Sequence, residues 1–198
     1  MTMLSVIAGL FTANAFEWFA HKYILHDYGR NRKGRDHYHW DHHRDVRRND
    51  FHEPVYEHYF GEDYDRHRAE VESLLFLAAV VTPLLPIAPV YTSTLYYSMW
   101  NYYHCHRKSH ANPEWAKKHL PWHVDHHLGR NQDTNWCVTK PWFDYIMGTR
   151  VYTAKSETEK NPLGLDLPEW ANEWFSSIIE NTEVERARIS ETQQLQAG

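Results

Sequence analysis

Two runs in this chain, His39-Trp40-Asp41-His42-His43 and His123-Val124-Asp125-His126-His127, share the pattern H-x-D-H-H. Each follows a spaced histidine pair, His21 and His26 in the first half, His106 and His110 in the second. The step from pair to box is 13 residues both times, from His26 to His39 and from His110 to His123. Each half also opens on an apolar stretch. This is an internal pseudo-repeat, and a fold that carries it must place four histidine groups from distant parts of the chain in comparable positions. Sixteen of the 198 residues are His, against two Cys. Two cysteines neither frame a disulfide scaffold nor supply a Cys-rich zinc fold.

No run alternates with period two, so the expected fold class is all-α. On α-helices at about 100° per residue, positions i, i+3 and i+4 share a face. His39, His42 and His43 therefore point one way, as do His123, His126 and His127. His106 and His110 stack at i and i+4. His21 and His26, at i and i+5, fall about 140° apart on an α-helix and need a helix end or two different metals to converge. Ten imidazoles exceed what one ion holds, and two ions with about five each is the natural count. A thiolate-free, all-nitrogen set with more than four donors per ion suits iron better than structural zinc. Asp41 and Asp125 occupy equivalent places in the two boxes and are candidate acceptors for a ligand N–H. A solvated helix position is the alternative for each. A basic, pH-responsive surface would also enrich His, but it requires neither the spacing nor the repeat. His37, His52, His58, His67, His104 and His119 fit no repeated place. His52-Glu53 is not the zinc-protease H-E-x-x-H, because Pro54 follows and the next histidine is His58.

The mean hydropathy of -0.73 excludes a chain made mostly of membrane helix, yet it averages over strong segregation. Met1 to Phe16 is uncharged, and a second uncharged stretch of 34 residues runs from Ser73 to His106. A spanning helix needs about 20 apolar residues, so residues 1–20 are read as a short membrane helix. The charged leader and small-residue cleavage site of a signal peptide are not evident. The second stretch is too long for one pass, and Pro83, Pro86 and Pro89 interrupt it. It is read as a helical hairpin over 73–106, re-entrant or spanning, with its turn near Leu84 to Pro89. Tyr91, Tyr96, Tyr97, Trp100, Tyr102 and Tyr103 suit an arm that ends at an interface. A chain that enters and returns keeps both histidine blocks on one side, which the distribution of Lys and Arg makes the cytoplasmic side. Two buried helices of a soluble protein are the competing reading. A net charge of -5 argues against a nucleic-acid partner.

Near the C-terminus, Asp166-Leu167-Pro168-Glu169 reads as a helix start. Trp170, Trp174, Phe175 and Ile178 then form one apolar face, to pack on the domain or lie at a membrane surface. Disorder is expected from about Thr192.

The four histidine groups around a hydrophobic hairpin resemble the fatty acid hydroxylase / sterol desaturase superfamily of membrane di-iron proteins. The run from Glu17-Trp18-Phe19-Ala20-His21 to His26 is similar to that family's first box. The segment from Asn135-Trp136-Cys137 through Trp142-Phe143-Asp144 to Gly148-Thr149 resembles its closing signature, with Cys137 where the family usually has Gly. The wording of His21 to His26 is also similar to carotenoid hydroxylases. The resemblance implies a membrane-anchored di-iron oxygenase domain over 1–152, with the amphipathic helix and tail over 153–198. It implies two Fe ions held by the ten histidines, with zinc a possible occupant on isolation. It implies O2, an external ferredoxin or reductase as electron donor, and hydroxylation or desaturation of an unactivated C–H bond. A fatty-acyl lipid is favoured as substrate, with a carotenoid or sterol as alternative. Trp18, Phe19, Trp100 and Tyr103 are the candidate cavity walls, and Asp144 is expected to pair with an Arg or cap backbone. A non-catalytic metal-binding membrane protein and a soluble di-iron enzyme on a small polar substrate remain the other classes.

Overall fold

A computed structural model describes residues 2–33, 37–59, 64–153, 164–165 and 167–178, with backbone alone for 64–67. Every regular element among the described residues is helical. Helix α1 (Thr2–Phe19) has no charged residue before Glu17 and continues without a break into a π-helix, Ala20–Tyr28. Thr2–Tyr28 is the one helix among the described residues long and apolar enough to cross a membrane. Its outer face is apolar and bare, with Met3, Leu4, Ile7 and Phe11 all exposed. Helix α2 (Tyr38–Arg48) carries the first H-x-D-H-H box.

Helix α3 (Tyr64–Val81) ends where Pro83 begins a short 3-10 turn, Thr82–Leu84. Helix α4 (Pro89–Ala111) starts on Pro89, whose missing N–H costs nothing at a first helical position. The two helices run antiparallel. Thr82 Oγ1 meets Tyr96 OH at 2.8 Å near one end, and Glu70 meets His106 at 3.0 Å near the other. Helix α4 also packs along α1. At Gly9 the backbones come so close that a Cβ would sit 2.8 Å from Cβ of Thr94.

Two prolines then restart the chain. Asn112 caps α5 (Pro113–His119) by accepting the Trp115 N–H at 3.0 Å. Pro121 opens α6 (Pro121–Leu128), which is buried from Pro121 to His127. Helix α7 (Trp142–Met147) ends on Gly148, whose φ of 67° is the left-handed conformation that closes many helices. The apolar core is small. Val46, Phe51, Ala116 and Val124 form one cluster, and Trp18, Trp136 and Cys137 another. The centre between them is filled by histidines.

A last helix, α8, covers 169–178. Its apolar face is largely exposed, with Trp170 72% exposed and Trp174 56%, while Ala171 is buried and Phe175 half-buried. Asp166 and the residues from 179 onward, where a cap and disorder are expected from sequence, lie outside the described residues.

Candidate metal centre

The histidine boxes assemble into two buried groups among the described residues. His21, His26, His39, His43 and His126 form one, and His42, His106, His110 and His127 the other, with one nitrogen of each ring within 4.8 Å of the rest of its group. His123 lies beside the second group, its Nε2 3.1 Å from Nε2 of His110 and its ring 4.6 Å from that of His127. The groups adjoin, with the His43 and His127 rings 4.2 Å apart.

The partition follows the repeat. Four histidines of the first half (21, 26, 39, 43) stay in the first group, and three of the second half (106, 110, 127) gather in the second, with His123 beside them. The middle histidine of each box crosses over, His42 into the second group and His126 into the first. Those two are equivalent positions of H-x-D-H-H. Helices α2 and α6 therefore each present one ring to the neighbouring group and the rest to their own.

The i and i+5 spacing of His21 and His26 is resolved by the π-helix. Its hydrogen bonds run i to i+5, so residues five apart stack instead of diverging as they would on an α-helix. The two rings lie 5.2 Å apart in one group.

Hydrogen bonds fix which nitrogen carries the proton. His21 Nδ1 donates to the Trp136 carbonyl at 2.5 Å, His126 Nδ1 to that of Thr134 at 2.7 Å and His110 Nδ1 to that of Phe51 at 3.2 Å. Carboxylates receive three more: Glu53 from His42 at 2.5 Å, Glu70 from His106 at 3.0 Å and Asp133 from His26 at 3.1 Å. Carbonyl and carboxylate oxygens only accept, so Nδ1 carries the proton of each of these rings, and a ring with one proton has a bare lone pair at Nε2. These lone pairs face inward. His43 Nε2 stands 3.2 Å from Nε2 of His26, 3.1 Å from His39 and 3.0 Å from His126. One proton on His43 could satisfy only one of the three. In the second group Nε2 of His42, His106 and His127 is buried with no hydrogen-bond partner.

Protonation does not relieve this crowding. Burial first, and the neighbouring histidines next, hold His39, His43, His110, His123 and His127 well below the ordinary imidazole pKa. His126 is lowered in the same way. Converging, unprotonated, buried nitrogen lone pairs with nothing between them are what a cation requires, and the two groups could hold metal ions.

Asp41 and Asp125 have partners outside the histidine rings. Asp41 is on the solvent side of α2, paired with Arg44 at 2.7 Å, because only one face of that helix turns inward. Asp125 is buried, but its oxygens accept from Arg150 at 2.8 Å and Thr153 at 2.6 Å, anchoring the segment after α7. The acceptors found behind ligand rings are Glu53, Glu70 and Asp133. Their sequence signal is faint: Glu53 follows its box by ten residues and Asp133 by six, and Glu70 reaches His106 only through the α3–α4 register.

Trp18 is buried against Trp136 and Phe143 and donates to Thr149 at 2.9 Å, so it braces the closing segment. Phe19 is 47% exposed on the outer side of α1. Trp100 and Tyr103 do line a space, an apolar groove of about 330 Å³ between α3 and α4. Asp144 caps backbone, accepting the N–H groups of Trp136 at 2.8 Å and Cys137 at 2.9 Å. Glu17 does the same for Thr139 at 2.8 Å, and Asn14 donates to the Lys140 carbonyl at 2.8 Å. The polar residues of α1 thus hold the segment whose carbonyls orient His21 and His126. Of the remaining histidines, His37 bonds Gly29 O, His52 bonds Glu57, and His104 and His119 stack on Trp100 and Trp115. Comparisons with family models, curated proteins and solved structures return no match.

Proposed function

We propose that this chain is a membrane-anchored di-iron oxidoreductase that uses O2 to hydroxylate or desaturate an unactivated C–H bond of a hydrophobic substrate. The observation that carries the reading is the pair of adjoining, buried, all-nitrogen groups, with the lone pairs of both turned inward. Ten imidazoles and no thiolate at the site favour iron over structural zinc. Irons bound there would supply O2 activation, the chemistry no side chain of the chain provides. Electrons would come from a separate ferredoxin or reductase.

The chain's own residues have three tasks in this scheme. The carbonyls of Trp136, Thr134 and Phe51, with Glu53, Glu70 and Asp133, hold the rings in one tautomer and direction. The histidines and the two flanking apolar clusters keep the centre dry. The groove between α3 and α4 supports a long apolar substrate. Leu74, Leu75, Met99 and Trp100 line it, and Val71 and Tyr103 bring it to within a turn of Glu70 and His106. Leu75, Phe76, Val80 and Ile87 are exposed on α3 and its turn, and α1 is bare along its outer face. Both features support immersion in a bilayer, with the histidine centre at its cytoplasmic edge. A fatty-acyl chain fits the groove's apolar lining, and a carotenoid or sterol is the alternative.

The test combines metal analysis of the purified protein with lipid profiling of the expressing cells, and His126→Ala as control. We expect about two irons per chain and a new hydroxylated or unsaturated lipid that disappears in the variant. Tightly bound zinc with no product under reducing, aerobic conditions would overturn the proposal and leave a non-catalytic metal-binding protein.

A further inference from the structure

The variable residue of H-x-D-H-H is Trp40 in the first box and Val124 in the second, and there the two halves part. Val124 is buried in the apolar cluster with Val46, Phe51 and Ala116. Trp40 is half-buried, so it reaches from the first histidine group to the protein surface. Its ring lies 4.7 Å from that of His26 and 5.5 Å from that of His43, and its Nε1 donates to the His26 carbonyl at 3.2 Å. The guanidinium of Arg30, itself exposed, sits 4.8 Å from the same ring.

Other aromatic side chains meet the centre without this combination. Trp136 touches His21, His26 and His126 but is buried. Phe51 and Tyr56, against the second group, are buried as well. Tyr102 stacks on His106 from α4, the hairpin arm whose outer surroundings are read as bilayer. Tyr38 is half-buried but farther off, 6.1 Å from His39.

An electron crosses protein by tunnelling, at a rate that falls exponentially with the gap between donor and acceptor. A half-buried indole packed on two ligand rings shortens that gap, where an aliphatic side chain in its place would leave it open. The geometry points to Trp40 as the place where electrons enter the centre, at the first group, from a one-electron iron–sulfur carrier that docks over this part of α2. Each transfer oxidises the carrier by one electron and takes one bound iron from the ferric to the ferrous state. Trp40 bridges the transfer and itself keeps its proton and its electrons. The substrate groove adjoins the second group, at Val71 and Tyr103, so donor and substrate approach different groups. The inference rests on the di-iron reading, and Trp40 is a positioning residue that acts through His26 and His43.

The test is rapid mixing of the oxidised, iron-loaded full chain in detergent with a reduced plant-type ferredoxin, without oxygen, read by the ferredoxin's own absorption bands. The wild type should show a fast phase of ferredoxin oxidation. Trp40→Val, which copies the second box, should lose that phase, and Trp40→Phe, which restores an aromatic ring, should recover it. Iron content and the extent of reduction by dithionite, a small reductant that needs no docking, should be the same in all three. A fast phase in Trp40→Val equal to that of the wild type, or none in the wild type, overturns the inference and leaves the di-iron reading standing. Because Trp40→Val can lose its iron or fail to fold, a second measurement uses the metal-free wild type alone. Hydrogen exchange with and without the ferredoxin should show protection at Tyr38–Arg48 and at the end of the π-helix. Protection elsewhere, or none, overturns the inference. Bound iron that dithionite does not reduce overturns the redox reading itself.

Discussion

A buried imidazole whose Nδ1 proton is committed and whose Nε2 meets only other imidazoles is an unsatisfied acceptor, and such groups cost about 1–3 kcal/mol each. Here several share one space, so the metal-free protein carries a stored penalty that a cation removes. The pH dependence follows. His39, His43, His110, His123, His126 and His127 have folded pKa values below the ordinary one. Above about pH 6.5 both folded and unfolded chains hold these rings neutral, and stability is level. Below that pH the unfolded chain takes up protons that the folded chain refuses. Stability is then lost at about 1.4 kcal/mol per pH unit for each such ring, until the folded pKa is reached. Thermal unfolding of the metal-free protein between pH 7.5 and 5 should show a steep fall in Tm starting near pH 6.5. A flat profile would mean that the rings are not buried as a neutral cluster. Most of these residues were legible in advance, because i, i+3, i+4 spacing and the repeat are properties of the chain alone. Their acceptors were not. Glu70 lies 36 residues from His106 and Thr134 O is a backbone atom, and no local pattern encodes either.

The elements teach a different lesson about the chain. Two α-helical boxes and one α-helical pair present their histidines at α spacing, and the remaining pair does so through a π-helix, the one element the apolar pattern cannot distinguish from α. Its i and i+5 spacing was the trace it left in the sequence, and it looked like a defect until the hydrogen-bond register changed. The geometry makes a prediction specific to this element. Leu25→His combined with His26→Leu moves the second histidine from the buried position that faces the first group and Asp133 to a half-buried one beside it. Bound metal should fall from about two to about one per chain, with the second group still loaded. Retention of both ions would show that Ala20–Tyr28 can take α geometry when its histidines demand it. The closing segment, by contrast, was recognisable as a motif but not as a brace. Asn14, Glu17 and Trp18 of α1 reach across more than a hundred residues to bind Lys140, Thr139 and Thr149. This is why an otherwise apolar helix carries an amide and a carboxylate.

Across the whole molecule, the elements that meet at the centre share their imidazoles, with the small Val46, Phe51, Ala116 and Val124 cluster and the Arg47 bonds to the His127 and Gly129 carbonyls at one side. Helix α2 and the π-helix come from one half of the repeat, α4 and α6 from the other, and they converge on imidazoles rather than on an apolar core. The two apolar clusters are small and lie to either side. Each metal ion would therefore act as a cross-link between the halves, since His42 and His126 each cross to the other's group. Binding to the folded state alone stabilises it by about 2.7 kcal/mol per site when free metal is a hundredfold above Kd. Two sites give about 5 kcal/mol, and in a chain of this size each kcal/mol moves Tm by about 2–4 °C. Chelation of the purified protein should then lower Tm by about 10–20 °C, and adding Fe2+ back under anaerobic conditions should restore it. His126→Ala removes a link from one ion only, so it should lose about half of that metal-dependent gain. An unchanged Tm after complete metal removal would mean that apolar packing alone holds the halves together, and the crossed histidines would then have no part in the stability of the fold.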